Sequence, residues 1–327
     1  MRFAVDGWDP SYGTSVELET ELAESSAQVV TDVETTTRWR PIAPDPGIAA
    51  PSAIVFVDGV RRIEARIWID EVTGSDAATE ASAGICASYA AGAVCCRTES
   101  GTHLLNAEPR RGLFTVAPHA VDVTTGVGIY YVHHTVPEPT RTLATTLSVA
   151  LQSRLAELEL VAAVKARAGL TQLGIADGTD LMVVDGPLRG RQNLPRIVGF
   201  IKSHQRSYLP SDMHALVGTL RAGERTPVFL MSTNWRRHSW YLRLPCPAGA
   251  PWAGIVRLEC SADIPSTAAA ALANISQAVL PRFASTEYKD SRAPQNLYPI
   301  AGLERELRRR LGDPRLLYRA LREAATA

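Results

Sequence analysis

Two aspartates in this chain end apolar runs and stand directly before glycine. Ala53 to Val57 (AIVFV) breaks at Asp58-Gly59, and Leu181 to Val184 (LMVV) breaks at Asp185-Gly186. Such runs, bounded by Asp-Gly, read as buried strands that deliver a carboxylate at their exit. One Asp-Gly alone reads as a capped turn. Two of them, far apart in sequence, point to a fold that sets them side by side. The segment after Asp185 is basic, with Arg189, Arg191, Arg196, Lys202 and Arg206. Strand-end carboxylates among cations fit a divalent metal ion meeting a polyanion. Oxygen-only ligands suit Mg²⁺ or Mn²⁺ rather than zinc.

Elements must position these groups. Val60 to Ile69 largely alternates apolar and charged residues, so Asp58-Gly59 is predicted to turn a hairpin into a half-buried strand. Arg61 and Arg62 point to opposite faces of that strand, so at most one faces the site. Ser82 to Arg97 predicts a third strand, with helix as the alternative. Residues 112–135 hold more strand-like sequence, including Gly128 to Val132. His133-His134 follows, and neighbours on a strand point opposite ways, which disfavours a metal pair.

The clearest helix is Pro139 to Arg167, where Leu143, Leu147, Leu151, Leu155, Leu158 and Ala162 form one stripe. Glu157 and Glu159 lie on opposite shoulders of it, and either can look toward a neighbouring sheet. Ile197 to Ile201, Pro227 to Met231 and Ala253 to Leu258 predict further strands. Ser211 to Arg221 (capped by Ser211-Asp212), Ile264 to Val279 and Leu303 to Ala324 predict helices, the last interrupted near Gly312-Asp313-Pro314.

The 34 basic and 34 acidic side chains cancel, but unevenly along the chain. Residues 1–35 carry eight acids against one arginine, whereas the stretch from Arg189 onward is mostly basic. That asymmetry permits a nucleic-acid groove at zero net charge. Five cysteines, without metal-ligand spacing, read as core residues in a reducing compartment. No stretch has the length of a membrane span or the pattern of a signal peptide, so a cytoplasmic protein without membrane contact is expected. Residues 1–50 read as an N-terminal docking segment around Trp8 and Tyr12 plus a Pro-rich linker, and 51–327 as one domain.

Hairpin, third strand, glutamate-bearing helix and Asp185 strand follow the order of the ribonuclease H-like fold. The expected class is α/β, a mixed sheet flanked by helices, with additional strands and a C-terminal helix. Val57-Asp58-Gly59, Val184-Asp185-Gly186-Pro187-Leu188, Gly199-Phe200-Ile201-Lys202-Ser203 and Tyr298-Pro299-Ile300 add to this. With them the chain resembles the NurA nuclease family over roughly residues 50–311. The resemblance implies a homodimeric, Mn²⁺- or Mg²⁺-dependent DNA nuclease with two ions per site. It also implies a HerA-like hexameric ATPase as partner in end processing, within repair or phage defence.

Carried over, Asp58, Asp185 and a helical glutamate, Glu157 or Glu159, are the metal-binding and catalytic acids. Lys202, Arg61, Arg189, Arg191 and Tyr298 are the expected DNA contacts. The chain departs from the family at Val60, where a small serine is usual, and at Glu304, where a histidine near the metals is usual. Asp290 is a rival C-terminal acid. Glu304 reads either as a site residue or as a first-turn helix acid paired with Arg308. Two other functions stay open: a catalytically weak DNA-channel adaptor of a HerA-like motor, and a ribonuclease H-like nuclease acting on RNA or hybrids.

Overall fold

The computed structural model describes residues 3–5, 27–71, 80–97, 101–175, 178–188, 190, 193–202, 208–246, 252–286, 288 and 293–326. Among these residues, twelve strands form one large mixed sheet: β1 (Phe3–Val5), β2 (Gln28–Val30), β3 (Ala53–Glu71), β4 (Glu80–Arg97), β5 (Gly101–Thr115), β6 (Val123–Thr125), β7 (Gly128–His134), β8 (Asp180–Asp185), β9 (Ile197–Ile201), β10 (Phe229–Ser232), β11 (Arg236–Arg243) and β12 (Ile255–Ser261). Five α-helices among the described residues flank it: α1 (Leu143–Gln172), α2 (Ser211–Thr219), α3 (Ser266–Val279), α4 (Tyr298–Arg310) and α5 (Pro314–Thr326). None of the helices in the described residues is long and apolar enough to cross a membrane.

The strand order is β2-β10-β11-β12-β9-β8-β3-β4-β5-β7-β6, with β1 beside β3. At its centre β3, β4 and β5 are antiparallel, while β8 runs parallel to β3 and β9 parallel to β8. Alternation along β3 and β8 sends successive side chains to opposite faces. Val55, Val57, Met182 and Val184 pack with Leu147, Leu151, Leu155 and Leu158 of α1. Ile54, Phe56, Leu181 and Val183 pack with Leu272 of α3 and Ile300, Leu303 and Leu307 of α4. That parity puts Asp58 and Asp185 on the face covered by α4, and Gly59 on the face covered by α1.

Asp58-Gly59 does not turn a hairpin. β3 passes through it unbroken, with Asp58 opposite Gly92 and Gly59 opposite Ala91 of β4, and the two strands stay paired out to Glu71 and Glu80. The partner strand is built of Ala, Gly and Cys here, small enough to be covered on both faces, so the apolar run keeps pairing past the acid. A glycine at this point answers to packing. Asp185-Gly186 does end its strand, and Gly186 takes the left-handed φ of +96°.

Other boundaries move for local reasons. Thr142 caps α1, accepting a bond from the Thr145 amide, so the helix opens at Leu143 rather than Pro139 and runs on to Gln172. Pro210, not a Ser211-Asp212 pair, precedes α2. The C-terminal helix opens at Tyr298, five residues earlier than expected, because Pro299 sits in its first turn where no amide is needed. β11 was hidden by Arg236, Arg237 and His238. Residues 1–50 are not a separate tether where they are described. β1 pairs with β3, β2 pairs with β10, and Glu34 is held by Arg225 at 2.6 and 2.8 Å. Trp8 and Tyr12 lie outside the described residues.

Candidate metal centre

The parallel pairing of β3 with β8 brings Val57 opposite Val184, so the acids that follow lie side by side. α4 crosses above them. Gly92 makes this possible: a Cβ there would lie 3.1 Å from the Leu307 side chain and 2.6 Å from the Asn106 carbonyl. With no side chain at Gly92, α4 drops close to the sheet and Glu304 reaches the aspartates. One carboxylate oxygen each from Asp58, Asp185 and Glu304 lie within 4.8 Å of one another.

Asp58 is 6 % exposed. Its Oδ1 accepts a bond from the Gly59 amide at 2.8 Å, while Oδ2 is buried without a hydrogen-bond donor among the described residues. Burial first, then the Asp185 charge, push its carboxyl well above the usual carboxylate range; Glu159 and Glu304 add to this and Lys202 opposes it. A buried anion facing other anions, with an orphaned oxygen, fits a bound cation. The set is all oxygen, as hard divalent ions require.

Lys202, just beyond β9, reaches back into this group. Its ammonium donates to Asp185 Oδ2 at 2.6 Å and to Asn296 Oδ1 at 2.8 Å. It is therefore built into the acid cluster. Asn296 is fully buried and was not singled out from sequence, where it reads as an ordinary polar residue before a helix.

The two helical glutamates separate cleanly. Glu157 is exposed and paired with Arg154 at 2.7 Å, so it is not a metal ligand in this arrangement. Glu159 is buried and lies against β3 beneath Gly59, where a Cβ would be 2.6 Å from its Oε1. Glu159 stands outside the trio but within its electrostatic reach. Gly59 thus allows a second carboxylate to approach Asp58 from the opposite side of the sheet.

Of the expected DNA contacts, Arg61 is held against α1 by a bond to Ser148 Oγ at 3.0 Å, and Arg62 by Glu64 and the Gly312 carbonyl. Neither is presented at the acids. Tyr298 is partly exposed at the start of α4, its hydroxyl 2.8 Å from Thr286 Oγ1. Arg189, Arg191 and Asp290 lie outside the described residues. Because α4 opens at Tyr298, Glu304 is not a first-turn acid; the helix-end reading is replaced by its place in the trio.

No protein-family model matches the chain, and no curated protein matches its sequence.

Proposed function

We propose that this chain is a divalent-metal-dependent nuclease acting on DNA, on the ribonuclease H-like plan that the NurA resemblance implies. The observation that carries the reading is the meeting of Asp58, Asp185 and Glu304, with a buried Asp58 oxygen that has no donor among the described residues. What supports the finer fold is the central order β5-β4-β3-β8-β9, with three antiparallel strands followed by two parallel ones. Mn²⁺ or Mg²⁺ held by these carboxylates would supply an acidified water and neutralise charge on the phosphoryl oxygens. Lys202 fixes the orientation of Asp185 and keeps a cation beside it. Glu159, behind β3, adds negative potential that favours cation binding over an empty cluster. A homodimer and a HerA-like hexameric ATPase belong to the same reading.

The test is incubation of linear DNA with the purified protein and Mn²⁺, against EDTA. Cleavage with the metal and none with EDTA is expected. Cleavage of RNA or hybrids alone would change the substrate class, and no hydrolysis with any divalent ion would overturn the enzyme reading. Glu304→Gln keeps the shape of the side chain and removes one of three charges. It is expected to raise the Mn²⁺ concentration needed for half-maximal cleavage about tenfold or more. An unchanged requirement would remove Glu304 from the metal set.

A further inference from the structure

A polar cavity of about 380 Å³ lies between the C-terminal end of α4 and strands β4, β5 and β7, lined by Ser88, Arg111, Tyr131, Arg310 and Leu311 among others. Its walls hold an unusual concentration of unmet hydrogen-bonding capacity. Ser88 is 1 % exposed and its Oγ closes no hydrogen bond among the described residues. Arg111 Nε is buried without an acceptor, and the Arg111 side chain makes no hydrogen bond or ion pair among the described residues. The Tyr130 hydroxyl, on a fully buried side chain outside the cavity lining, lies near Ser88, in the field of Glu64 first and of Arg111 after it. Ser88 and Arg111 can both donate into the cavity. Buried donors are ordinarily satisfied, and a half-buried guanidinium with no counter-ion is costly.

Glycines leave room for the guanidinium. Arg111 Nη1 lies 2.8 Å from where a Cβ on Gly128 would stand, and Nη2 lies 3.8 Å from the same point on Gly312. Both glycines have positive φ, +131° and +88°. A side chain at position 128 would fill the slot in which Arg111 rests. The neighbouring acids are already occupied. Glu108 is shared by Arg110 and Lys165, Glu306 by Arg309 and Arg310, and Glu64 takes Arg62. Among the described residues that line it, the cavity has three arginines and no acid.

We infer that this cavity is a phosphate-binding site, in which Arg111 and Ser88 donate to one tetrahedral phosphoryl group and Arg310 closes the rim. A tetrahedral oxyanion accepts from several directions at once, which suits donors converging from β4, β5 and the end of α4. The site is separate from the acid trio. Its ligand is either a strand phosphate of a nucleic acid or free inorganic phosphate. Tyr131, half exposed at the rim, offers a ring on which a base can stack.

The experiment uses the full-length protein in EDTA, so that its outcome does not depend on cleavage. Calorimetric titration with inorganic phosphate, and anisotropy titration of a labelled single-stranded oligonucleotide over a salt series, are compared for wild type, Arg111→Met and Arg111→Lys. Arg111→Met is expected to weaken whichever probe occupies the site about tenfold or more, with Arg111→Lys between. If the source is a strand phosphate, Arg111→Met also flattens the slope of log affinity against log salt by about 0.7, one phosphate contact. If it is free phosphate, only the calorimetric arm changes. The melting temperature of ligand-free Arg111→Met should be unchanged or raised, since no contact is lost. Equal binding of both probes by wild type and Arg111→Met, or a lowered melting temperature, would overturn the assignment.

Discussion

Asp58→Asn and Asp185→Asn are each expected to remove Mn²⁺-dependent DNA cleavage, by on the order of 10³-fold or more, with the protein still folded. The size follows from the geometry: three carboxylates act as one unit, and an amide offers a neutral oxygen where a divalent ion needs charge. Folding should improve in Asp58→Asn without metal, because the substitution removes a buried anion facing two others. The pH dependence has a definite sign. Asp58 titrates higher in the folded than in the unfolded chain, so the native state holds the extra proton. In EDTA, wild-type stability therefore falls as pH rises from the unfolded carboxylate value through the raised folded one. Asp58→Asn should flatten that decline. Thermal melts between pH 4 and 8 measure it, and cleavage assays on Glu157→Gln, which should stay near wild type, control for nonspecific loss of charge. Full activity in either aspartate variant would dismantle the centre.

Asp58 and Asp185 were legible in the sequence because a buried strand announces itself as an apolar run, and an acid breaking that run is conspicuous. Their adjacency needed only the assumption that β3 and β8 pair. The role of Gly59 was misread for a physical reason. Asp-Gly carries the same local signal whether glycine is needed for a turn or for room, and only Glu159 pressing on it tells the two apart. The choice between Glu157 and Glu159 turned on helix phase: the leucine stripe fixes which side of α1 faces the sheet but leaves its two shoulders equivalent. Asn296, under Lys202, left no trace in sequence, since one buried polar residue in a loop has no pattern. Glu259 and the two arginines around it were equally silent, being spread over two strands whose pairing had to be known first.

Those three residues set the second large effect. Glu259→Gln is expected to cost about 3–5 kcal/mol, the scale of leaving buried charges without their counter-ion. In a chain of this size that corresponds to a fall in melting temperature of roughly 4–7 °C. Glu259 is fully buried in β12, opposite Gly199 of β9 and Ser239 of β11. Its Oε2 lies 2.9 Å from a terminal nitrogen of Arg257 and 3.1 Å from Arg237 Nε. Burial pulls the Arg237 guanidinium below its ordinary value, and Glu259 works against that. Without the carboxylate, two buried cations face each other. The other oxygen, Oε1, accepts the Leu188 amide at 2.9 Å and so anchors the chain just after Asp185. Gln keeps an acceptor for that amide, whereas Glu259→Leu loses it together with the charge. Gln should therefore melt early yet cleave normally well below its transition. Leu combined with Arg237→Met and Arg257→Met should regain stability and lose activity, because the turn carrying Asp185 is no longer tied down. A melting temperature for Glu259→Gln within a degree or two of wild type would mean that the arginines are hydrated in solution. The pair of readouts, stability against cleavage, tells whether this network serves the fold alone or also holds the metal centre in shape.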